Sequence, residues 1–207
     1  MWDDVSGSVW SHLDGIARAG PAAGQRLDVL PLQTTSWRAW LDEHPETTVL
    51  DVDTGFDYRR QDTLGGNTLG EDFLDSLGGV AAVDPRLPIG VLVVGVLAGE
   101  AATAFPADAD RSQLTAQADV GDVPIVLLEE ADGQPSLAFH RMLSDGRVLD
   151  FFRRGADIVD VQTGSRWSPS GLATAGPLAG VQLAFVTSFL TEWYGWSAFY
   201  PATSIAD

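Results

Sequence analysis

The 207-residue chain contains no cysteine and no lysine. The first absence excludes a disulfide, a thiolate metal site and a thiol nucleophile. The second leaves all 12 basic residues as arginine against 29 acidic ones, for a formal net charge of −17. A surface so acidic repels phosphates and has no basic stripe to release counterions, which argues against nucleic acid and anionic membranes as partners. Acid excess with arginine in place of lysine fits a protein of a halophilic prokaryote, an archaeon for instance, whose carboxylates stay hydrated in strong salt while screening removes their repulsion. A GC-rich genome would also exchange Lys for Arg codons; the acid excess favours the halophilic source.

Long hydrophobic runs are missing too. The most apolar stretch, Leu87–Gly99, has 13 residues, short of the ~20 that span a bilayer, and its β-branched content gives it strand character. No basic-then-apolar signal precedes "MWDDVSG", so the chain as written reads as cytoplasmic, without membrane insertion. GxSxG, GxxxxGK[ST] and GxGxxG do not occur, which removes the sequence case for an α/β-hydrolase, a P-loop NTPase or a Rossmann binder.

What is present is aromatic, turn-rich and repetitive. Seven Trp and nine Phe supply core, while 22 Gly and 11 Pro favour short strands joined by turns over long helices. The phrase "SGSVWSHLDGIARAGPAAG" at 6–24 returns as "TGSRWSPSGLATAGPLAG" at 163–180, and the match runs on, 25–51 over 181–207. Trp10/Trp167, Pro21/Pro177, Trp37/Trp193, Trp40/Trp196, Pro45/Pro201 and Thr47/Thr203 keep their spacing, as two copies of one supersecondary unit would.

In each copy a Gly-Ser-x-Trp-Ser turn delivers an aromatic, a Gly-Pro turn follows, and then a short strand, "RLDVLP" or "VQLAFV". Thr35 and Thr191 are placed to cap short helices in which two tryptophans three residues apart share one face as a packing wedge. Hairpins are expected at 89–106, turning at Ala98-Gly99, and at 123–142, turning at 131–133, with two more strands around Gly155. The expectation is a β-rich α+β fold of short antiparallel strands and hairpins with a few short helices, built from an internal repeat. Residues 1–51 form the C-terminal half of a first repeat, 52–86 a Gly-rich acidic linker, and 87–207 a complete second repeat. The first copy lacks the strand-rich block. Either a longer protein has been cut, or the half-repeat donates its strand and helix to the complete one; the exposed edges of a half-unit favour the former.

At these residues the chain resembles the bacterial and archaeal domain of unknown function 3179, whose members look like "TGSLWSQ…GP.AG…TTW..W…HPDT.VL". The block "GVLVVGVLAGEAATAFP…VPIVLLEEADGQPSLAFHR…TGSRWS" follows the family's order as well. The resemblance implies an order of motifs rather than a reaction. Relatives are often longer and often look exported or lipid-anchored. Many carry a "YCPLCG"-like segment before an apolar "AF" strand; the stretch here, "IVLLEEADGQPSLAF", has no Cys, so no metal or redox role of that motif carries over.

The candidate chemistry is sparse. His44 matches the family's "HPDT", but its partner in the second copy is Tyr200, so it reads first as a helix-end histidine capping carbonyls. His12 falls on a turn and His140 at a strand end. None has zinc-site spacing, and no metal site is assigned. The cluster Asp51, Asp53, Asp57 fails the EF-hand pattern, since Gly55 and Phe56 stand at ligand and turn-glycine positions and Asp62 at the twelfth. Glu129 and Glu130 point to opposite faces of a strand and form no acid/base pair. The paired helix tryptophans read as core. A ligand pocket, if present, is expected beside Ser8, Trp10, Ser165 and Trp167, with His44 as a further contact. The leading reading is a non-catalytic structural or binding module, in an envelope-associated protein for example. The rival is an enzyme or metal-dependent redox protein whose site lies in a missing N-terminal half-repeat. No cofactor or protein partner is assigned.

Overall fold

The computed structural model describes residues 1–32, 35–50, 84–107, 115–129 and 137–206. The acidic residues Asp51, Asp53, Asp57 and Asp62, most of the expected linker, Glu130 and the turn expected at 131–133 lie outside the described residues.

The first stretch forms a small antiparallel sheet of β1 (Trp2–Asp3), β2 (Ser8–Trp10) and β3 (Ala17–Ala19), and later the helix α1 (Trp37–Glu43). The main body begins with the hairpin β4 (Leu92–Ala98) and β5 (Ala101–Pro106). It continues through β6 (Thr115–Val120), β7 (Val123–Leu128), β8 (Leu137–His140), β9 (Phe151–Arg154), β10 (Asp157–Asp160), β11 (Arg166–Trp167), β12 (Ala173–Ala175), β13 (Phe185–Val186) and β14 (Ser188–Glu192). The helix α2 (Trp193–Phe199) and β15 (Ser204–Ile205) end it. The fold is therefore β-rich, with two short helices among the described residues.

The strands form three four-stranded sheets in the orders β12-β11-β10-β9, β13-β8-β7-β6 and β14-β4-β5-β15. Alternation along the strands shows how these sheets stack, because successive side chains point to opposite faces. Val126 and Leu128 join Phe151, Ile158 and Trp167 in one core cluster, while Ile125 and Leu127 join Val94, Val96 and Phe105 in another. Val93, one residue from Val94, instead meets Trp193 and Trp196. The β6–β8 sheet is thus a middle layer buried on both faces. The β9–β12 sheet covers one side of it, the β4–β5 sheet the other, and α2 lies on the outer face of β4–β5.

Three two-residue hairpin loops place glycine first, Gly99, Gly121 and Gly155, at φ of 59°, 59° and 65°, the left-handed position that a type II′ turn demands. Two of these turns are those expected at Gly99 and Gly155. The β6–β7 hairpin was not expected: its strand, "TAQADV", alternates only small apolar residues with polar ones.

Two local expectations are corrected. Thr191 does not cap α2; the capping position is Glu192, which makes no side-chain cap bond. The sheet performs that task, since Trp193 N–H donates to Val91 O at 2.7 Å and Tyr194 N–H to Ile89 O at 3.3 Å, satisfying amides that a helix N-terminus leaves free. The stretch "RLDVLP" forms no strand either. Apart from the single bridge Ile16↔Arg26, it has among the described residues no partner of the kind that β8 and β4 offer β13 and β14.

Candidate functional site

The Gly-Ser-x-Trp segments run into β2 and β11, each preceded by a turn closed by an aspartate. In the second, Asp160 is fully buried and accepts four hydrogen bonds. They come from Thr163 N–H at 2.6 Å and Thr163 Oγ1 at 2.8 Å, and from Ser165 N–H at 3.1 Å and the Trp167 indole at 3.0 Å. Ser165 Oγ, also buried, shares a 2.7 Å bond with Thr163 Oγ1 and accepts Leu178 N–H at 3.0 Å. One carboxylate therefore fixes the turn, the hydroxyl pair and the tryptophan, and the serine ties them to the Gly-Pro turn.

The first segment has the same wiring. Ser6 Oγ donates to Asp3 Oδ2 and shares a 2.7 Å bond with Ser8 Oγ. The Trp10 indole points to Asp3 Oδ2 at 3.4 Å, and Ala22 N–H donates to Ser8 Oγ at 3.0 Å. Asp3 is held below the ordinary carboxylate range, chiefly by the Ser6 hydroxyl and then the Ser6 N–H, with burial opposing. A Cβ on Gly20 or on Gly176 would lie 2.7 Å from the Cα of Ser8 or Ser165. Both glycines also sit at positive φ, 93° and 95°, so the close approach of the two turns requires glycine.

The helices repeat a second device. The Trp40 indole donates to Thr47 Oγ1 at 2.8 Å and the Trp196 indole to Thr203 Oγ1 at 2.9 Å. His44 stacks on Trp40 with ring centroids 4.2 Å apart at 41°, and Tyr200 on Trp196 at 4.4 Å and 42°. His44 thus shares an aromatic contact with its counterpart Tyr200, although the imidazole itself has none. A latch unforeseen in the sequence holds α2: Arg86 sits 5.3 Å from the Trp193 ring centroid and donates to Thr203 O at 2.7 Å, while the Trp193 indole donates to Asp84 O at 2.9 Å.

The environments of the two copies differ. Trp193 and Trp196 are fully buried, whereas Trp37 and Trp40 are 55% and 41% exposed, so the expectation of a core helix fails for α1. Ser8 and Trp10 come together in one sheet, Ser165 and Trp167 in another. None of the four lines the described cavities.

Of these cavities, one of about 350 Å³ lies between the first stretch and the main body, lined by His12, Leu27, Leu30, Leu32, Leu137 and Phe189 among others. Another, of about 470 Å³, is lined by Glu100, Asp119, Tyr200 and Thr203 among others. Burial, and then the charge of Asp14, push the Tyr200 hydroxyl above its ordinary pKa. His140 Nδ1 accepts Met142 N–H at 3.2 Å. Buried Glu129 lies on the β7–β8 layer, where its carbonyl receives the Arg153 guanidinium. No group of three or more metal-ligating side chains occurs among the described residues. No described helix is long and apolar enough to cross a membrane.

Asp3 and Asp160 organise the two turns without belonging to the Gly-Ser-x-Trp phrases themselves. The signal was available, since each stands four positions before the glycine of its Gly-Ser-x-Trp phrase. Among known families, the one described as protein of unknown function (DUF3179) matches residues 1–203. No curated protein and no solved structure matches the chain.

Proposed function

This chain belongs to the DUF3179 family of proteins of unknown function, and we propose that it is a non-catalytic structural or binding module of a halophilic prokaryote. It carries two copies of one unit: a half-copy at 1–51, a connecting stretch at 52–86 and a complete copy at 87–207. The observation that carries this reading is the use made, within the chain, of the polar groups that recur in the two Gly-Ser-x-Trp segments. Asp160, Thr163, Ser165 and the Trp167 indole are spent on one another and on backbone amides, and Asp3, Ser6, Ser8 and Trp10 are spent in the same way. A carboxylate whose lone pairs are filled by four donors inside the fold positions a turn; it is not poised to move a proton.

The test is thermal unfolding of Trp167→Phe, which keeps the ring and deletes only the donor to Asp160. A loss of about 1 kcal/mol, or several degrees in Tm, is expected because a buried carboxylate loses a partner. A variant that unfolds with the parent would remove the turn-locking role.

A further inference from the structure

The cavity of about 470 Å³ lies where the end of α2 meets β5, and its lining is charged in one sense only. Glu100, after the β4–β5 turn, and Asp119, on β6, border it, and no lining residue is cationic. Glu100 makes no ion pair among the described residues. Asp119 meets Arg141 at 3.8 Å, but that guanidinium is held closer by Asp150, at 2.7 Å. The Arg86 guanidinium, which reaches the Pro201 and Thr203 carbonyls nearby, is already bound to Asp84.

Acidic residues at a rim are commonplace in a chain of net charge −17; the hydroxyl they accompany is not. Thr103 is 8% exposed and stands opposite Val96, on the face of β5 where Val96 and Phe105 join the apolar core. Its side chain makes no hydrogen bond among the described residues, which is uncommon for a buried hydroxyl. The enclosed side-chain atoms without a partner are Arg141 Nε, Arg153 Nε and the Tyr200 hydroxyl. Thr103 Oγ1 is not one of them, so it opens onto the cavity that Thr103 lines. β15 pairs with β5 at Thr103 and Ala104 only, which leaves the edge at Ala101 and Ala102 open to the same space. Phe199 and Tyr200 add aromatic surface; with the Tyr200 hydroxyl enclosed, its ring is what a ligand meets.

We propose that this cavity binds a small primary aliphatic amine in its cationic form. The inference rests on the reading of a binding module and names its ligand class. The ammonium N–H groups donate to Thr103 Oγ1, an acceptor otherwise unused, and to the carboxylates of Glu100 and Asp119. The alkyl stem lies against Ala101, Ala102 and Phe199, and the aromatic faces attract the charge. At ~30 Å³ for each heavy atom, as for water in the liquid, the volume admits a ligand of about ten to fifteen such atoms. A metal ion suits the lining less well, since no group of three ligating side chains occurs among the described residues. A neutral polyol needs donors as well as acceptors, and ionised carboxylates only accept. The acidic surface draws cations in general toward the cavity; the hydroxyl and the rings select among them.

Calorimetric titration of the full chain with diaminobutane tests the proposal. Saturable one-to-one binding is expected, weakened about tenfold or more by Thr103→Val, which keeps the shape and every charge, and likewise by Glu100→Gln. Asp157→Asn, on the β9–β12 sheet beyond the middle layer, removes the same unit of charge and is expected to leave the affinity within about twofold. Butanol, of similar size and uncharged, is expected not to bind. Absence of saturable heat up to about 10 mM amine would overturn the proposal. So would unchanged affinity in Thr103→Val, or equal losses in Asp157→Asn and Glu100→Gln, because the amine would then be held by the acidic surface at large.

Thr103→Val is expected to unfold within about 2 °C of the parent. Should it fail to fold, Glu100→Gln against Asp157→Asn decides the question on exposed side chains alone. Amide shifts in the magnetic resonance spectrum of the full chain locate the amine: movement at 100–103 and 199–204 is expected, and movement confined to other residues would refute the site. None of these variants touches Asp160 or Trp167, so the Trp167→Phe outcome stands or falls separately.

Discussion

At the scale of single residues, the two aspartates offer a controlled comparison, since they accept the same kinds of bonds in different surroundings. Asp160 is fully buried beneath Trp167, so Asp160→Ala strands buried donors that no water can reach. A cost of about 3 kcal/mol is expected. Asp3 lies near solvent, and its Trp10 contact is long at 3.4 Å. In Asp3→Ala, water replaces the carboxylate and the cost is much smaller than for Asp160→Ala. Urea unfolding of both variants checks this, and equal losses would mean that burial does not set the value of the network. Neither aspartate attracted attention in the sequence, because an acidic residue before a Gly-Ser turn looks like any solvated loop charge. The aromatic and glycine landmarks Trp167, Gly176 and Pro177 were legible because Trp, Gly and Pro have few interchangeable substitutes. The importance of Asp160 lies in burial, which no residue type announces by itself.

At the scale of elements, legibility followed how locally each element is determined. The turns at Gly99 and Gly155 are fixed by the conformation glycine alone adopts readily, so two hairpins could be placed in advance. The β6 strand depends on its pairing with β7, and its alanines gave a weak signal. Residues 26–31 have much the same local pattern as 182–187 yet form no strand, because a strand is a property of its partners as much as of its own sequence. The start of α2 follows the same rule, its first amides bonding to sheet carbonyls rather than to a capping threonine.

The latch on this helix has a pH signature. Asp84 is held below its ordinary value of 3.8, first by the Arg86 side chain and then by its N–H. A folded-state value below the unfolded one stabilises the fold above pH 3.8, and that contribution fades as pH falls through the depressed value. Asp84→Asn is therefore expected to lower Tm by about 1–2 °C near pH 6, a small shift because the pair is solvent-exposed. The gap should close in strong acid. A gap that persists or widens there would show that the carboxylate's charge is not what holds Arg86 against Trp193.

At the scale of the whole molecule, charge dominates. Several of the 12 arginines are already committed to nearby carboxylates: Arg18 to Asp14, Arg86 to Asp84, Arg141 to Asp150 at 2.7 Å and Arg147 to Asp145 at 2.7 Å. The net charge of −17 repels itself, which penalises the compact state more than the expanded one. Salt acts on the two kinds of interaction unequally. Ion pairs near the surface contribute little each, so screening them costs little. The repulsion sums over many separations and falls away as the screening length shrinks from ~10 Å at 0.1 M to ~3 Å at 1 M. Thermal unfolding followed by circular dichroism is expected to show Tm rising by about 10 °C or more between 0.1 and 2 M potassium chloride, with most of the gain below 1 M. A flat response would assign the missing lysines to codon usage rather than to a salty interior, because a fold stabilised mainly by its three stacked sheets would then be carrying its charge without penalty.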